Sequence, residues 1–215
     1  MNTLEKVEKR LGIRFPAGYR SWHACEYFDP RNTSETYLWV HEAEWIPPAE
    51  IPGYDLWRDT VPGLVPFAFN GAGDHWCFST QQATSPGEFE IWFCIHDAEL
   101  GEIDTPSFPA WFYRRCLSYA AGGFDEDAAS IRQAQKNLKL WSQRLAEIQP
   151  GAWAEHLAEL SACEPFAYKN SNLRSTAPPM FGFLTMMEVH KIVSREFGKQ
   201  YLRHEVKWGT FREEE

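Results

Sequence analysis

Residues 65–78 have the sequence VPFAFNGAGDHWCF, and this stretch decides the fold. Apolar runs lie on both sides of residues 70–74, whose two glycines can supply the positive φ angles of a tight turn. The pattern predicts two strands, Leu64–Phe69 and residues 75–79, joined by that turn. A sheet built around this hairpin is therefore the first expectation.

The chain on either side of the hairpin alternates helical and extended patterns. Before it, Leu4, Val7 and Leu11 recur at the i, i+3, i+7 spacing of an amphipathic helix. Gly12 is a stop signal for that helix, and Pro16 suits the first turn of a second one. Two short helices joined by a corner therefore precede the sheet.

After the hairpin, residues 89–95 form an apolar run that predicts a central strand buried on both faces. The polar residues 80–87 are the expected loop before it. A helix is predicted over residues 105–121, with Ser107 as its N-cap and Pro109 in its first turn.

The remainder of the chain is predicted to be mainly helical. Residues 125–148 contain no Gly or Pro, and further helices are expected over residues 150–162 and 184–197. Thr185 is the candidate N-cap of the last helix, and residues 200–208 alternate enough to predict a final strand.

Two glycines before Phe124 predict a domain boundary, with one domain over residues 1–124 and a C-terminal extension over residues 125–215. Trp141 and Leu145 belong to an apolar stripe on the extension, so its helices bury a face somewhere. Packing on the first domain is the default expectation, and self-association is the alternative.

Charge is distributed unevenly in this acidic chain, whose formal net charge is −9. Residues 1–124 hold 17 acidic and 9 basic residues, whereas residues 125–215 hold 13 and 12. Between Trp22 and Tyr113 there are 15 acidic residues and two basic ones, Arg31 and Arg58. Such a field repels nucleic acid and attracts a basic partner, although an acidic surface that only maintains solubility stays an open alternative.

Composition also limits the class of protein. The N-terminal segment MNTLEKVEKRLG lacks the apolar stretch of a signal peptide, and no run reaches the roughly 18 apolar residues of a membrane helix. We therefore expect a soluble, cytoplasmic protein that does not bind a membrane. The five cysteines contain no CxxC motif, which argues against a disulfide framework or a zinc knuckle and favours reduced thiols.

Catalytic motifs are weak. Gly71 and Gly73 lie beside Asp74 and His75, but neighbouring residues on a strand point to opposite faces, so a structural turn is favoured over an acid–base site. A small enzyme using Asp74, His75 and His96 stays the less favoured hypothesis. No Walker loop, GxSxG or HExxH motif occurs.

Two His-containing acidic segments, residues 41–44 and 96–99, were the candidates for metal binding. Both lie at predicted strand ends or in loops, where i, i+3 side chains do not converge as they do on a helix. A solvated acidic edge is the favoured interpretation, so we predict no metal, no cofactor and no catalytic residue.

Three ordered motifs resemble the SUKH superfamily, which includes the Smi/Knr cell-wall regulators of yeast and many bacterial immunity proteins. The first is Leu4 to Tyr19, where a helix ends in Leu-Gly and a Phe-Pro step leads into a helix that carries Tyr. The second is the strand–turn–strand of residues 65–78. The third is SFPAWF at residues 107–112, which is similar to the start of the family's helix after the sheet.

The resemblance covers residues 3 to about 121 and implies an α+β domain, with a mixed or antiparallel sheet of about five or six strands and packed helices. It also implies protein binding without catalysis. Residues 23–29 depart from the family pattern after the second helix, and residues 125–215 have no counterpart in it.

The resulting functional hypothesis is an immunity protein that neutralises a basic toxin domain of the nuclease or deaminase type. The alternative is a regulatory scaffold of the Smi/Knr type that binds its partner through the C-terminal helices. The predicted partner-binding residues are acidic side chains with two aromatic anchors: Asp55, Trp57, Asp59, Glu88, Glu90, Trp92, Glu99, Glu102 and Asp104. The sequence does not specify an oligomeric state.

Overall fold

The computed structural model describes residues 3–24, 42–56, 58–122, 124–169, 179–202 and 204–211. The helices in this part of the chain are α1 Thr3–Leu11, α2 Ala17–Ala24, α3 Phe108–Ala120, α4 Ala128–Ile148, α5 Ala152–Ser161 and α6 Met186–Glu196. The strands are β1 Glu44–Trp45, β2 Arg58–Thr60, β3 Leu64–Phe69, β4 His75–Ser85, β5 Glu88–Cys94, β6 Leu100–Thr105, β7 Phe166–Tyr168, β8 Met180–Gly182, β9 His204–Lys207 and β10 Gly209–Phe211.

Six strands form one sheet in the order β1-β3-β4-β5-β6-β9. Each neighbouring pair in this sheet is antiparallel. Two further pairs, β10 with β2 and β7 with β8, form separate two-stranded ribbons. The predicted α+β class with a mainly helical C-terminal part is confirmed.

The central hairpin has the predicted structure. Strand β3 has the predicted bounds, and the turn after it is held by Asn70, whose Oδ1 accepts hydrogen bonds from the N–H groups of Ala72 (3.0 Å) and Asp74 (2.9 Å). Gly73 has a φ of +93°, which L-residues other than glycine rarely adopt. These contacts explain why glycines and an Asn stand between the two apolar runs.

Two strand predictions were wrong. Strand β4 continues through Ser85, so residues 80–85 are not loop, and only Pro86 and Gly87 separate β4 from β5. Strand β6 was not predicted at all. In both cases the strand carries exposed or acidic side chains, and the pairing of β4 with β5 shifts twice, so the alternation that marks a strand is lost.

Helix termini follow the expected capping chemistry. Gly12 ends α1 with a φ of +68°. The Ser107 side chain accepts a hydrogen bond from the Ala110 N–H at the start of α3, as predicted. Thr185 caps α6 and forms a reciprocal capping box with Glu188.

The main core lies between α3 and one face of the sheet. Phe67 stacks on Phe78 with ring centroids 4.4 Å apart and meets Trp111 edge-on at 5.0 Å. The buried side chains of α4, α5 and α6, such as Leu145 and Leu157, belong to the same core. The C-terminal part therefore packs on the sheet-bearing part, while a domain boundary near Phe124 stays a prediction.

The opposite face of the sheet carries a smaller apolar cluster, in which Cys77 and Cys94 lie under Leu56 and Trp208. Trp208 is fully buried, and its indole N–H donates to the Ala98 carbonyl at 3.0 Å. A Cβ on Gly101 would lie 3.1 Å from Trp208 and 2.4 Å from the Phe93 carbonyl oxygen, so only glycine allows this approach. Trp208, from the C-terminal part of the chain, thus covers part of a sheet face that is formed by strands of the SUKH-like region.

His75 lies on the same face and is almost completely buried. Its Nε2 is 3.2 Å from the Tyr54 hydroxyl. Burial lowers the pKa of His75 to about 4, because removing the imidazolium from water costs more than the nearby Asp74 carboxylate returns. The ring is therefore neutral near pH 7.

Replacing Trp208 with alanine tests whether this side chain stabilises the fold by covering the sheet face above Gly101. Trp208→Ala should lower the free energy of unfolding by about 3–5 kcal/mol, because it leaves a cavity above Gly101. The measurement is chemical denaturation. The control is Leu100→Ala, a neighbouring residue that is 45% exposed and should cost about 0.5 kcal/mol or less. Equal losses of unfolding free energy in the two variants would contradict this role of Trp208.

The buried neutral His75 predicts a pH-dependent stability. Below pH 6.5 the unfolded chain binds a proton at this residue that the folded protein does not bind until about pH 4. The free energy of unfolding should therefore fall by up to about 3 kcal/mol between these two values and stay constant above pH 6.5 on this account. His75→Gln should flatten the dependence, whereas the exposed control His204→Asn should leave it unchanged.

Candidate protein-binding surface

The sheet face opposite α3 is only half covered, and Trp92 lies at the border of the covered part. Its ring packs against the small cluster of Cys77 and Cys94 and is partly exposed. Its indole N–H donates to the Glu90 carboxylate at 3.3 Å. Glu90 also accepts from the Tyr201 hydroxyl at 3.4 Å. An aromatic ring with a carboxylate held against its polar edge is therefore presented on this face.

The segment that crosses this face provides more acidic side chains. Leu56 anchors the segment in the small cluster, while Asp55 and Asp59 are exposed on either side of it. Trp57, the second predicted anchor, lies outside the described residues. The Trp92 face, as we name it, consists of Trp92, Glu90, Asp55 and Asp59.

Glu99 and Glu102 lie toward the β6–β9 edge and have different surroundings. Glu99 is 3.4 Å from the Lys207 ammonium in a solvent-exposed pair. Glu102 pairs across the strands with both Phe93 and Glu205, which places it on the α3 side of the sheet rather than on the Trp92 face. The structure therefore does not bring these two residues together with Trp92.

Asp104 is not an exposed acidic residue, in contrast to its predicted place in the acidic face. It is 5% exposed, and the β5–β6 register skips it as the extra residue of a bulge. The bulge turns its carboxylate toward α3, where it lies 2.9 Å from Arg114 and 3.7 Å from Arg115. Arg114 also donates to the carbonyls of Asp104 and Tyr201. Asp104 is therefore a structural residue.

Glu88 is likewise drawn into the fold. Its carboxylate accepts a hydrogen bond from the Phe108 N–H at the start of α3, at 3.4 Å. Burial raises the pKa of Glu88, and this hydrogen bond opposes the rise. Glu88 connects the β4–β5 turn to α3 and lies apart from the Trp92 face.

The predicted catalytic alternative can be compared with the observed geometry. Asp74 accepts hydrogen bonds from the His96 backbone N–H (3.0 Å) and lies 2.8 Å from the His96 ring. These bonds hold the pKa of Asp74 below its usual value despite partial burial. His75 points instead to Tyr54. The pair Asp74–His96 connects two turns at the end of the sheet, and His75 does not share its site.

Metal-binding candidates gain no support from the geometry. Of the two predicted segments, His41 lies outside the described residues. No cluster of three or more His, Cys, Asp and Glu side chains with a metal-binding arrangement occurs in the part of the chain that the structure describes. A depression of about 320 Å³ is lined by Glu42, Glu44 and residues 70–72, so the described residues contribute two carboxylates to it.

The thiols are mostly inert. Cys77, Cys94 and Cys116 are buried, and burial raises the pKa of both Cys94 and Cys116. Cys163 is exposed, and Cys25 lies outside the described residues.

Sequence reasoning missed two residues that shape the surface. Trp208 sets the limit of the covered half, and Glu205 lies directly opposite Glu102. Glu205 lies in β9 and Trp208 directly follows this strand, so the pairing of β9 with β6 positions both residues. The two strands are about 100 residues apart in the sequence. The weak alternation of residues 200–208 was the one signal that could have indicated it.

Comparison with known proteins adds the family. A model of the SMI1 / KNR4 family (SUKH-1) matches residues 2–114, slightly more than half of the 215-residue chain. No curated protein and no solved structure shows a significant match. No helix among the described residues is long and apolar enough to cross a membrane. The matched span runs from α1 into α3 and contains all three sequence motifs, and the chain therefore belongs to the SMI1 / KNR4 (SUKH-1) family.

Proposed function

We propose that this SUKH protein is a non-enzymatic immunity protein that binds and neutralises a basic toxin domain through the Trp92 face. The observation that carries the proposal is the half-buried Trp92, whose indole N–H donates to Glu90 at the border of the covered part of this sheet face. Membership of a family with many bacterial immunity proteins supports it.

The physical basis of binding has two parts. Exposed carboxylates such as Asp55 and Asp59 attract a basic partner and raise its association rate. An aromatic side chain such as Trp92 supplies a large contact area at low entropic cost and lowers the dissociation rate once water is excluded. The second part requires Trp92 to be partly exposed before binding, as it is.

A role without catalysis agrees with the same geometry. Asp74 accepts a hydrogen bond from the His96 N–H and lies 2.8 Å from the His96 ring, which fastens two turns, and His75 is neutral and buried beside Tyr54. General acid–base chemistry needs such groups to face one reacting atom. Their placement favours the structural interpretation that the sequence had already suggested.

The alternative is a regulatory scaffold that binds through its C-terminal part. It is supported by two exposed apolar side chains in that part, Phe166 (42% exposed) and Met187 (55% exposed). Deleting residues 125–215 cannot separate the two proposals, because it would remove β9 and Trp208 from the sheet. Single surface substitutions are needed instead.

The direct test is growth rescue. Polypeptides encoded next to this protein's gene are expressed singly in a host, and any that arrests growth is co-expressed with this chain. Restored growth and a stable complex with a basic polypeptide are expected. A basic toxin that is bound by Met187→Glu but not by Trp92→Ala supports the Trp92 face, and the reverse result supports the scaffold.

Charge reversal at the Trp92 face should slow association. The double change Asp55→Lys and Asp59→Lys should reduce the association rate constant about tenfold at low salt and weaken its salt dependence, because steering is lost. Stopped-flow or surface-based kinetics with the purified toxin domain would measure it.

The matched control reverses Glu155 and Glu164, which are exposed in the C-terminal part, and changes the net charge by the same amount. This control should leave association within about twofold of the unaltered protein if steering is local. Equal slowing in both variants would show that net charge, and not the Trp92 face, attracts the partner. Circular dichroism confirms that each variant is folded.

A further inference from the structure

Basic side chains are concentrated at the start of this acidic protein. Residues 1–21 contain five Lys or Arg and two Glu, in a chain with a net charge of −9. One of the two acids, Glu8, is buried and accepts hydrogen bonds from Arg20 and from the Phe15 N–H. Because Glu8 is already paired, it does not neutralise the basic residues outside.

The remaining cations form a stripe. Lys6, Lys9, Arg10 and Arg14 are exposed, and none has an ion-pair partner in the described ranges of the chain. Lys6 and Arg10 are four residues apart on α1, where like charges repel and destabilise a helix slightly.

Arg14, the last of these four cations, lines a groove. An open cleft of about 410 Å³ lies between the start of α2 and the β4–β5 turn, within the size range of ligand sites. Arg14, Arg20 and Ser21 line one side of it, and Gly87 and Glu88 line the other. The Glu8 carboxylate fixes Arg20 there and pairs with its charge, so Arg14 is the exposed cation that the described residues contribute to the groove.

We infer that the stripe and groove bind an acidic, extended segment of a partner protein. Lys6 and Arg10 are separated by about 6 Å along the helix axis. Alternate side chains of an extended chain are about 6.6 Å apart, so acidic residues at every second position match this spacing. Arg14 and Ser21, which line the groove, then receive the carboxylate that enters it.

This surface shares no residue with the Trp92 face and takes the opposite charge. A nucleic acid is the less suitable occupant, because four exposed cations are few for a phosphate backbone and the rest of the protein repels it. A short protein segment with a few acidic residues matches these four cations in the sign and the number of its charges.

The test uses fluorescence anisotropy with a labelled eight-residue peptide of alternating Glu and Ser. The purified full chain should bind this peptide at low salt and release it at high salt. The single variants Arg14→Gln and Arg10→Gln should each bind the peptide about fivefold more weakly than the unaltered chain. Lys139→Gln, an exposed lysine on α4, is the control and should stay within about twofold of the unaltered chain.

Three outcomes of the peptide measurements would overturn the inference. They are no binding of the acidic peptide at low salt, equal weakening by Lys139→Gln, and equal binding of an alternating Lys and Ser peptide. A single-stranded oligonucleotide of the same charge that binds more tightly, with the same dependence on Arg14, would also overturn it in favour of a nucleic-acid surface. Because Arg14 is exposed, its replacement should leave the unfolding curve unchanged, which separates loss of binding from loss of fold.

Discussion

The structure depends on the aromatic packing between α3 and strands β3 and β4. Phe67 lies at a bulge, where the β3–β4 register shifts between Pro66 and Ala68, and its ring contacts both Phe78 and Trp111. Each buried aromatic side chain removes about 150–250 Å² from water, so this layer supplies much of the driving force for the fold. Because α3 packs against one face of the sheet, the cover on the opposite face comes from other segments.

That second face is completed from the far end of the chain. Trp208 fills the space above Gly101, and β9 becomes an edge of the sheet beside β6. The family match ends at residue 114, yet the sheet it begins is finished by residues 204–207. The C-terminal part is thus integral to the sheet, because β9 extends the sheet, and Trp208, directly after β9, covers part of this face and leaves Trp92 at the border of the covered part.

Local chemistry explains which parts of the fold could be predicted. The β3–β4 turn and the Ser107 and Thr185 caps depend on residues within a few positions of each other, so the sequence pattern contained them. Strand β6 escaped prediction because its sequence, LGEIDT, has a glycine and two acids in six residues. Its pairing is decided by neighbours that lie far away in sequence, and the same holds for Trp208.

The candidate site shows the same difference between local and long-range information. The sequence gives the number of charged residues but not the direction of their side chains. Asp104 and Glu99 are equivalent in a list of acidic residues. A single bulge buries the first between two arginines, and a turn exposes the second. Glu88 is similar, since its hydrogen bond to Phe108 forms only once α3 is packed. Such residues can be assigned to a surface only after the sheet register is known.

Some charged side chains pair within the fold, and others are exposed at particular places on the surface. Glu8 with Arg20 and Asp104 with Arg114 cancel within the fold. Apart from these two pairs, exposed basic side chains occur along α1, and exposed acidic side chains occur at Asp55 and Asp59. Regions of opposite charge on one surface would exert a torque on an approaching charged partner as well as an attraction, because the field orients the partner before contact. A partner that presents a basic region next to an acidic flank would therefore be selected in both sign and orientation, which net charge alone cannot achieve.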